Sequence, residues 1–358
     1  MNKFLTALFT VLVLCPSFAM AQSRRIYGDD DRIDYSKAPA AMQKLADSVV
    51  SFWDKDYIRD VNGQKYLLTV TFEKGVGLCP GETFGQQPIG AFCSGTLVGE
   101  DLVLTAGHCI TDEESCAKAR MVFGFNDKNL NNGMALNDTV TAYPVDPKEI
   151  YSCSKIVKRH LGKQHTSTVG MIWDYIMFKH DKVAPDYALI KLDRKVTGRS
   201  PLPVERNTKL NEGDKIFVIG HPVGLPVKVA GGATIRNNKP KHFYLTDLDT
   251  FGGNSGSAVF SQKSGKIVGI LVRGSTDFVD DAGKGCKIQN RVPQDYGKGE
   301  AVNRLKPVLS SIPEIGGKKS AETKDEAVSE SAAPEVSQVK SPDLNKMSKP
   351  NIKIASPF

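Results

Sequence analysis

Short runs of β-branched, aromatic and other apolar residues recur from residue 67 onward, and Gly, Pro, Asn and Asp separate them. Runs of this length between turn-forming residues are typical of β-strands. Many short strands joined by turns favour an all-β sandwich or barrel. The clearest predicted strands span residues 67–72, 96–98, 102–104, 188–192, 215–219 and 267–272.

The segment before these strands shows a helical period instead. Apolar residues between Met42 and Trp53 recur at spacings of three and four, which predicts a helix over residues 37–53 with one apolar face. Such a face needs a surface to pack against. We therefore assign residues 22–62 to an N-terminal extension, which is either a removable pro-segment or a permanent part of the protein.

The C-terminal part of the chain changes character twice. Apolar residues within 301–309 predict a short C-terminal helix, bent at Pro307. Beyond Gly317 the sequence consists mostly of Lys, Glu, Ser, Ala and Pro, with Phe358 as its only aromatic residue. Because so little apolar surface cannot offset the entropy of ordering, residues 316–358 are predicted to form a disordered tail.

Residues 1–21 have the features of an export signal peptide. Lys3 supplies a positive charge, residues 4–14 are almost wholly apolar, and Ala19 and Ala21 are small residues placed for cleavage. The apolar stretch is too short to span a bilayer, and no later stretch is long and apolar enough to do so. We therefore expect a secreted or periplasmic protein without a membrane span.

Composition adds little evidence for a charged partner. The net charge of +7 is mild for 358 residues, and Lys and Arg are scattered along the chain. Binding to nucleic acid or to anionic lipid is therefore not indicated. The hydrophobic content of 40% and charged content of 24% fit a globular protein with one large or two medium domains.

The cysteines indicate disulfide bonds. Loss of a signal peptide would remove Cys15 and leave an even number of cysteines in an oxidising compartment. Six cysteines allow 15 pairings, among which spacing alone does not choose. A zinc site is the competing interpretation, but the paired C-x-x-C spacing is absent. The six are Cys79, Cys93, Cys109, Cys116, Cys153 and Cys286.

The strongest candidate for chemistry is a serine enclosed by small residues, Ser255 in the sequence GGNSGS at residues 252–257. Glycine permits a tight bend and the close approach of a substrate, and neighbouring backbone N–H groups can point at an oxygen that becomes negative. Apolar runs follow directly, so the turn is predicted to lie between buried strands. Taken alone, the same residues also make a good surface turn.

A nucleophilic serine needs a base nearby and a group that orients the base. His108 is the fourth residue of the sequence TAGHC at residues 105–109, after two predicted strands. Asp186 stands immediately before the predicted strand at residues 188–192. Each residue alone has an ordinary structural explanation, as a packed histidine and as a turn residue.

Taken together, TAGHC at residues 105–109, DYALI at 186–190 and GNSGS at 253–257 closely resemble the three signature motifs of the chymotrypsin-like (trypsin-like) serine proteases. The similarity covers about residues 67–309, and we place the protease domain at residues 63–315. The resemblance implies two packed antiparallel β-barrels with the active site between them. His108 and Asp186 would come from the first barrel and Ser255 from the second.

By the same resemblance, Ser255 is the nucleophile, His108 the general base, and Asp186 the residue that orients the histidine. The backbone N–H groups of Gly253 and Ser255 would form the oxyanion hole. The family's characteristic disulfide would join Cys93 to Cys109. The substrates would be proteins or peptides, the protein a monomer, and neither a cofactor nor a metal is expected.

Within the family, GNSGS in place of GDSGG is more similar to secreted bacterial peptidases of the staphylococcal glutamyl endopeptidase kind than to animal trypsins. Asn254 carries no charge to pair with a newly cut N-terminal ammonium. We therefore expect that activation does not run through that buried ion pair.

Substrate preference follows from the same segment. Asp249 lies six residues before Ser255, where trypsin has the carboxylate at the floor of its specificity pocket, and Gly274 resembles the glycine that leaves the pocket open. A buried carboxylate there would favour Arg or Lys before the cleaved bond. In the alternative interpretation, Asp249 pairs with Arg273 or caps a turn and never meets substrate.

Two other readings of function stay open at this point. Cleavage after Glu would use cationic or hydroxyl groups such as Arg273, Thr250 or His242, and Asp249 would oppose it. A non-catalytic homologue that only binds its partners is the second alternative. Such homologues usually lack a triad residue, and none is missing here.

Overall fold

The computed structural model describes residues 26–162 and 185–315, apart from 208, 275, 276 and 298. The predicted signal peptide and the predicted C-terminal tail lie outside these residues. Strands dominate the described part of the chain, as the alternation of short apolar runs and turns requires. In these ranges we find no helix with the length and apolar character needed to cross a membrane.

The helices are α1 (Ala40–Ala46), α2 (Phe72–Val76) and α3 (Glu113–Lys118), with 3-10 turns at Tyr35–Lys37, Lys55–Tyr57, Pro147–Glu149, Pro222–Gly224 and Leu309–Ser311. The strands of the N-terminal half are β1 (Ile26–Tyr27), β2 (Arg32–Asp34), β3 (Val49–Asp54), β4 (Ile58–Val61), β5 (Gln64–Thr71), β6 (Pro88–Ile89), β7 (Cys93–Gly99), β8 (Leu102–Thr105), β9 (Ala119–Phe123), β10 (Met134–Ala135), β11 (Val140–Val145) and β12 (Ile150–Leu161). The remaining strands are β13 (Asp186–Leu192), β14 (Lys215–Gly220), β15 (Lys228–Asn237), β16 (Phe243–Thr246), β17 (Ala258–Ser261), β18 (Ile267–Arg273), β19 (Phe278–Asp281), β20 (Cys286–Gln289), β21 (Arg291–Val292) and β22 (Glu300–Arg304).

Two closed antiparallel barrels of six strands make up most of the fold. The first runs in the order β3, β7, β8, β13, β12 and β9, and β9 pairs back to β3. The second runs in the order β14, β17, β18, β22, β16 and β15, and β15 pairs back to β14. The predicted all-β fold with two packed barrels is therefore confirmed. Closure leaves no free sheet edge inside either barrel.

Smaller elements surround the barrels. β4, β5, β11 and β10 form an additional antiparallel sheet, with β6 paired to β5, and β2 extends the second barrel beside β15. Three disulfides join distant parts of the chain: Cys93–Cys109, Cys116–Cys153 and Cys79–Cys286. The last of these spans 207 residues and ties the loop after α2 to the hairpin of β19 and β20.

The predicted N-terminal helix over residues 37–53 is wrong in its second half. The helix α1 ends at Ala46, and Val49–Asp54 form β3, which pairs with β7 and β9 in the first barrel. Five consecutive residues from Val49 are buried, whereas a surface helix would bury only one face. These residues, four of them apolar, fit a strand buried on both faces. The boundary predicted at residue 62 would therefore separate β3 from the other five strands of the first barrel.

The predicted C-terminal helix is also wrong. Residues 300–304 form β22, which lies between β16 and β18 and completes the second barrel. Only Leu309–Ser311 form a single 3-10 turn. The spacing of apolar residues in this short segment fits both periods, and pairing with two neighbouring strands decides between them.

We expect the segment around β3 to be essential for stability, so that Phe52→Ala destabilises the folded protein by about 3–5 kcal/mol. Phe52 is fully buried and its ring packs edge-on against Phe92. Urea unfolding followed by fluorescence measures the change. Val157→Ala, at a position 40% exposed on β12, serves as a control and should shift stability by less than about 0.5 kcal/mol. Equal, small effects of the two substitutions would contradict this placement of β3.

Candidate active site

His108 lies in a tight turn that follows β8 of the first barrel. A Cβ placed on the preceding Gly107 would lie 2.3 Å from the backbone oxygen of His160, so only glycine fits there without moving β12. The His108 side chain is 15% exposed, and its Nδ1 lies 2.8 Å from Oδ2 of Asp186. The turn thus brings the imidazole against the start of β13.

Asp186 is the first residue of β13 and is 1% exposed. Its other oxygen, Oδ1, accepts the backbone N–H groups of Gly107 at 2.6 Å and of His108 at 3.2 Å. These bonds fix the carboxylate relative to the histidine turn. Because an ionised carboxylate can only accept, Nδ1 of His108 donates to it and Nε2 is left as the basic nitrogen.

Ser255 lies in the turn that enters β17 of the second barrel. Gly253 and Gly256 beside it have φ angles of 80° and 85°, in the left-handed region that glycine adopts without strain. A Cβ on Gly256 would lie 2.2 Å from both the backbone oxygen of Ser94 and Oγ1 of Thr105. The turn is therefore pressed against β7 and β8, the strands that lead to the histidine.

Hydrogen bonds to β7 and β18 fix the backbone around the serine. The N–H of Ser94 donates to the carbonyl oxygen of Ser255 at 2.9 Å, and the N–H of Gly256 donates to that of Leu271 at 2.7 Å. Ser255 is fully buried. The three residues predicted from the sequence motifs therefore lie on segments in direct contact across the two barrels.

The disulfide of Cys93 and Cys109 joins β7 to the residue after His108. The structure thus contains the pairing that the family resemblance implied. The two sulfurs and the imidazole lie within 4.8 Å of one another, a distance that metal ligands also show. Because the sulfurs are bonded to each other, neither is the thiolate that binds zinc. We interpret the group as a disulfide that holds the turn bearing His108 in place.

Comparison with known proteins assigns this arrangement to a family. Residues 93–270 match the family model described as a trypsin-like peptidase domain. The chain contains a trypsin-like peptidase domain. The matched residues include His108, Asp186 and Ser255, and the resemblance to chymotrypsin-like serine proteases is confirmed.

The relatives of this peptidase domain are distant. Serine protease 23 of Bos taurus is 29% identical over 126 residues, covering 34% of this chain and 30% of that protein. Glutamyl endopeptidase of Staphylococcus aureus (strain MW2) is 26% identical over 194 residues, covering 52% of this chain and 48% of that protein. The chain thus spans about half or less of the length of these relatives.

A solved structure of a Glu endopeptidase in complex with MPD aligns over 78% of this chain and 93% of that chain, with a TM-score of 0.40 and 16% identity. The serine endoprotease from Yersinia pestis aligns with a TM-score of 0.39 and 15% identity, over 78% of this chain and 65% of that chain. Both likenesses are weak, and the assignment of the fold rests on the strand topology described above.

Within the peptidase domain, Asp249 does not face an open pocket. It is 2% exposed, and its oxygens accept the backbone N–H groups of Tyr27 at 2.7 Å and of Asp31 at 2.9 Å. These contacts correspond to the alternative in which Asp249 caps a turn. The Arg273 side chain, its other predicted partner, lies outside the described residues.

Thr250 and Gly274 occupy different surroundings. Thr250 is fully buried and its hydroxyl donates to Oε2 of Glu300 at 3.1 Å. Oε1 of the same carboxyl accepts the Tyr27 hydroxyl at 3.3 Å. Gly274 is half-buried directly after β18. The structure therefore places Asp249 against residues 27–31, whereas Thr250 reaches Tyr27 only through Glu300.

Sequence reasoning missed two residues that contact the serine turn. Asp277 accepts the backbone N–H of Gly252 at 2.8 Å, and Ser94 donates its hydroxyl to the carbonyl of Gly253 at 2.8 Å. Along the chain, Asp277 lies 25 residues from Gly252, and Ser94 lies 159 residues from Gly253. The one available signal was that Ser94 directly follows Cys93 in a stretch of small residues.

The buried Asp249 should make stability depend on pH. Burial raises the pKa of its carboxyl to about 7, although the backbone bonds from Asp31 and Tyr27 act in the opposite direction. A carboxyl with a raised pKa in the folded state stabilises the protein in acid, and this contribution is lost as the pH rises from about 4 through about 7. Asp249→Asn, which does not titrate, should lack this loss.

Between pH 5 and pH 8, the free energy of unfolding of the wild type should therefore fall relative to that of Asp249→Asn, by on the order of 3 kcal/mol. Urea titrations of both proteins at each pH measure the difference. Parallel pH profiles would show that the carboxyl keeps an ordinary pKa in the folded state.

Proposed function

We propose that this protein is a secreted or periplasmic serine endopeptidase, with Ser255 as nucleophile, His108 as general base and Asp186 as the residue that orients the histidine. The observation that carries the proposal is the 2.8 Å contact between Nδ1 of His108 and the buried Asp186 carboxylate, on a segment packed against the serine turn. That geometry leaves Nε2 of the histidine to accept a proton.

The reaction then follows the acyl-enzyme route. The Ser255 hydroxyl oxygen attacks the carbonyl carbon of a peptide bond while Nε2 of His108 accepts its proton. The tetrahedral intermediate collapses as His108 gives that proton to the leaving amine. Water next attacks the ester and gives a proton to His108, which returns it to the Ser255 oxygen as the acid product leaves. Asp186 stabilises the imidazolium at each stage.

The oxyanion of both intermediates is proposed to accept the N–H groups of Gly253 and Ser255. The left-handed φ of Gly253 supports this role, because it sets the backbone of the turn in a conformation that few other residues adopt. One such donor typically contributes about 2.7–4 kcal/mol to transition-state stabilisation. No cofactor takes part in any of these steps.

Export of the protein is supported by its disulfides. Three pairs form among the described residues, and disulfides persist in oxidising compartments. The predicted signal peptide is consistent with such a location. A protein without activity, used as a binding module, is the competing proposal.

A fluorophosphonate probe distinguishes these two proposals. We expect stoichiometric labelling of the folded wild type and loss of labelling in Ser255→Ala, with His108→Ala slower by at least about 10³-fold. Hydrolysis of a denatured protein should fall in parallel. Because Ser255 is buried, labelling also shows that substrate-sized groups reach it. A folded wild type that stays unlabelled would support the binding module.

For the residue before the cleaved bond we propose Arg or Lys. Two buried acidic residues adjoin Thr250: Asp249 along the chain and Glu300 through a hydrogen bond. A negative group would attract a substrate cation and repel a substrate carboxylate. Asp249 would act only at a distance and only when ionised, since its oxygens bond to the N-terminal backbone and burial raises its pKa to about 7. Cleavage after Glu is the alternative, supported by the glutamyl endopeptidase relatives.

Cleavage sites in a denatured proteome digest test this preference. We expect Arg and Lys to dominate for the wild type and to remain dominant for Asp249→Asn, while Glu300→Gln weakens the preference several-fold because the acidic group bonded to Thr250 is replaced by a neutral amide. Dominant cleavage after Glu would establish the alternative. A loss of preference in Asp249→Asn alone would show that this carboxyl meets the substrate directly.

A further inference from the structure

The proposed oxyanion hole depends on the direction of the Gly253 N–H. Gly253 is packed closely against residues 221–224, since a Cβ placed on it would lie 2.7 Å from the backbone oxygen of His221 and 2.8 Å from the nitrogen of Gly224. Residues 221–224 therefore contact the backbone of Gly253 directly.

The peptide before Gly253 is fixed by residues 221–224. The N–H of Val223 donates to the carbonyl oxygen of Gly252 at 2.5 Å. In a trans peptide the C=O and the following N–H point in opposite directions. The N–H of Gly253 therefore points away from residues 221–224, toward the opposite side of the turn.

The peptide after Gly253 is fixed by Ser94. The Ser94 hydroxyl donates to the carbonyl oxygen of Gly253 at 2.8 Å and accepts the backbone N–H of His221 at 2.9 Å. The backbone N–H of Ser94 also donates to the carbonyl of Ser255 at 2.9 Å. One residue of the first barrel thus contacts both proposed oxyanion donors and the segment that supports them.

We propose that Ser94 is a positioning residue for the oxyanion hole, an inference that rests on the proposed function. Its hydroxyl bonds both to Gly253 and to His221 and so holds the glycine against residues 221–224. The N–H of Gly253 therefore keeps its direction when charge develops on the substrate. Ser94 is fully buried, so no bulk water replaces the hydroxyl if it is removed. Ser94→Ala would leave a carbonyl and an N–H unpaired, and Gly253 could then rotate.

The chain offers a matched control in Ser51, which is also fully buried and lies opposite Ser94 on the neighbouring strand β3. Its hydroxyl accepts the Trp53 indole N–H at 2.9 Å and donates to the Val122 carbonyl at 2.9 Å. Ser51→Ala therefore removes the same two kinds of bond from the same barrel wall, without a bond to the catalytic turn.

The experiment compares wild type, Ser94→Ala and Ser51→Ala by thermal unfolding, by the rate constant of fluorophosphonate labelling, and by kcat and KM on the best peptide from the proteome digest. We expect Ser94→Ala to lower kcat and the labelling rate constant roughly tenfold to hundredfold, below the loss for removing a donor itself. KM should change less than about twofold, because ground-state binding does not use the oxyanion. Ser51→Ala should lose similar thermal stability and keep its rates.

A folded Ser94→Ala with wild-type kcat would overturn the inference, as would equal rate losses in Ser94→Ala and Ser51→Ala. If Ser94→Ala does not fold, the isosteric pair Ser94→Thr and Ser94→Val replaces it, and only the hydroxyl variant should retain most of the labelling rate. A folded wild type that neither labels nor cleaves would contradict the proposed function and this inference together. An active wild type with an insensitive Ser94 contradicts the inference alone.

Discussion

The contact between Ser94 of the first barrel and the serine turn of the second is the interaction on which the site depends. Each barrel is closed by its own strand pairs, so nothing within one barrel fixes its position relative to the other. The bonds from Ser94 to Ser255 and to Gly253 help to set that position at the serine turn, beside a hydrophobic cluster that both barrels share. Because His108 follows the strand paired to that of Ser94, the same contact helps to set the distance between the segments of the proposed base and nucleophile.

A second group of contacts attaches the N-terminal segment to the second barrel. Arg32 pairs with Asp30 at 2.7 Å and lies 4.3 Å from the centre of the Phe251 ring. Lys228 pairs with Asp34 at 3.0 Å, and burial lowers the pKa of its ammonium group to about 8. Buried ion pairs add little net stability, but leaving one partner unpaired is costly. Residues 26–34 are therefore an integral part of the domain and determine what Asp249 contacts.

Structural features that depend on residues close together in the chain could be predicted from the sequence. Strands such as β7, β13 and β18 were predicted because β-branched runs end at turn residues. The segments of β3 and β22 were misread as helices because their spacings fit both periods, and only pairing inside a barrel distinguishes them. The partners of Cys79 and Cys116 could not be chosen either, since disulfide pairing depends on which loops meet in space.

In this peptidase domain, the proposed chemistry depends on local motifs, whereas specificity depends on residues that are remote along the chain. The residues of the proposed triad each lie within a short motif, and the backbone that orients them, such as Gly107 before His108, belongs to the same motif. A resemblance in three motifs is therefore enough to propose the reaction. The surroundings of Asp249 are instead supplied by Tyr27 and Asp31, more than two hundred residues away along the chain. A carboxylate at a sequence position that suggests a specificity pocket can thus have its oxygens bonded to a remote segment instead. Substrate preference therefore has to be argued from the residues that surround the carboxylate in the folded protein.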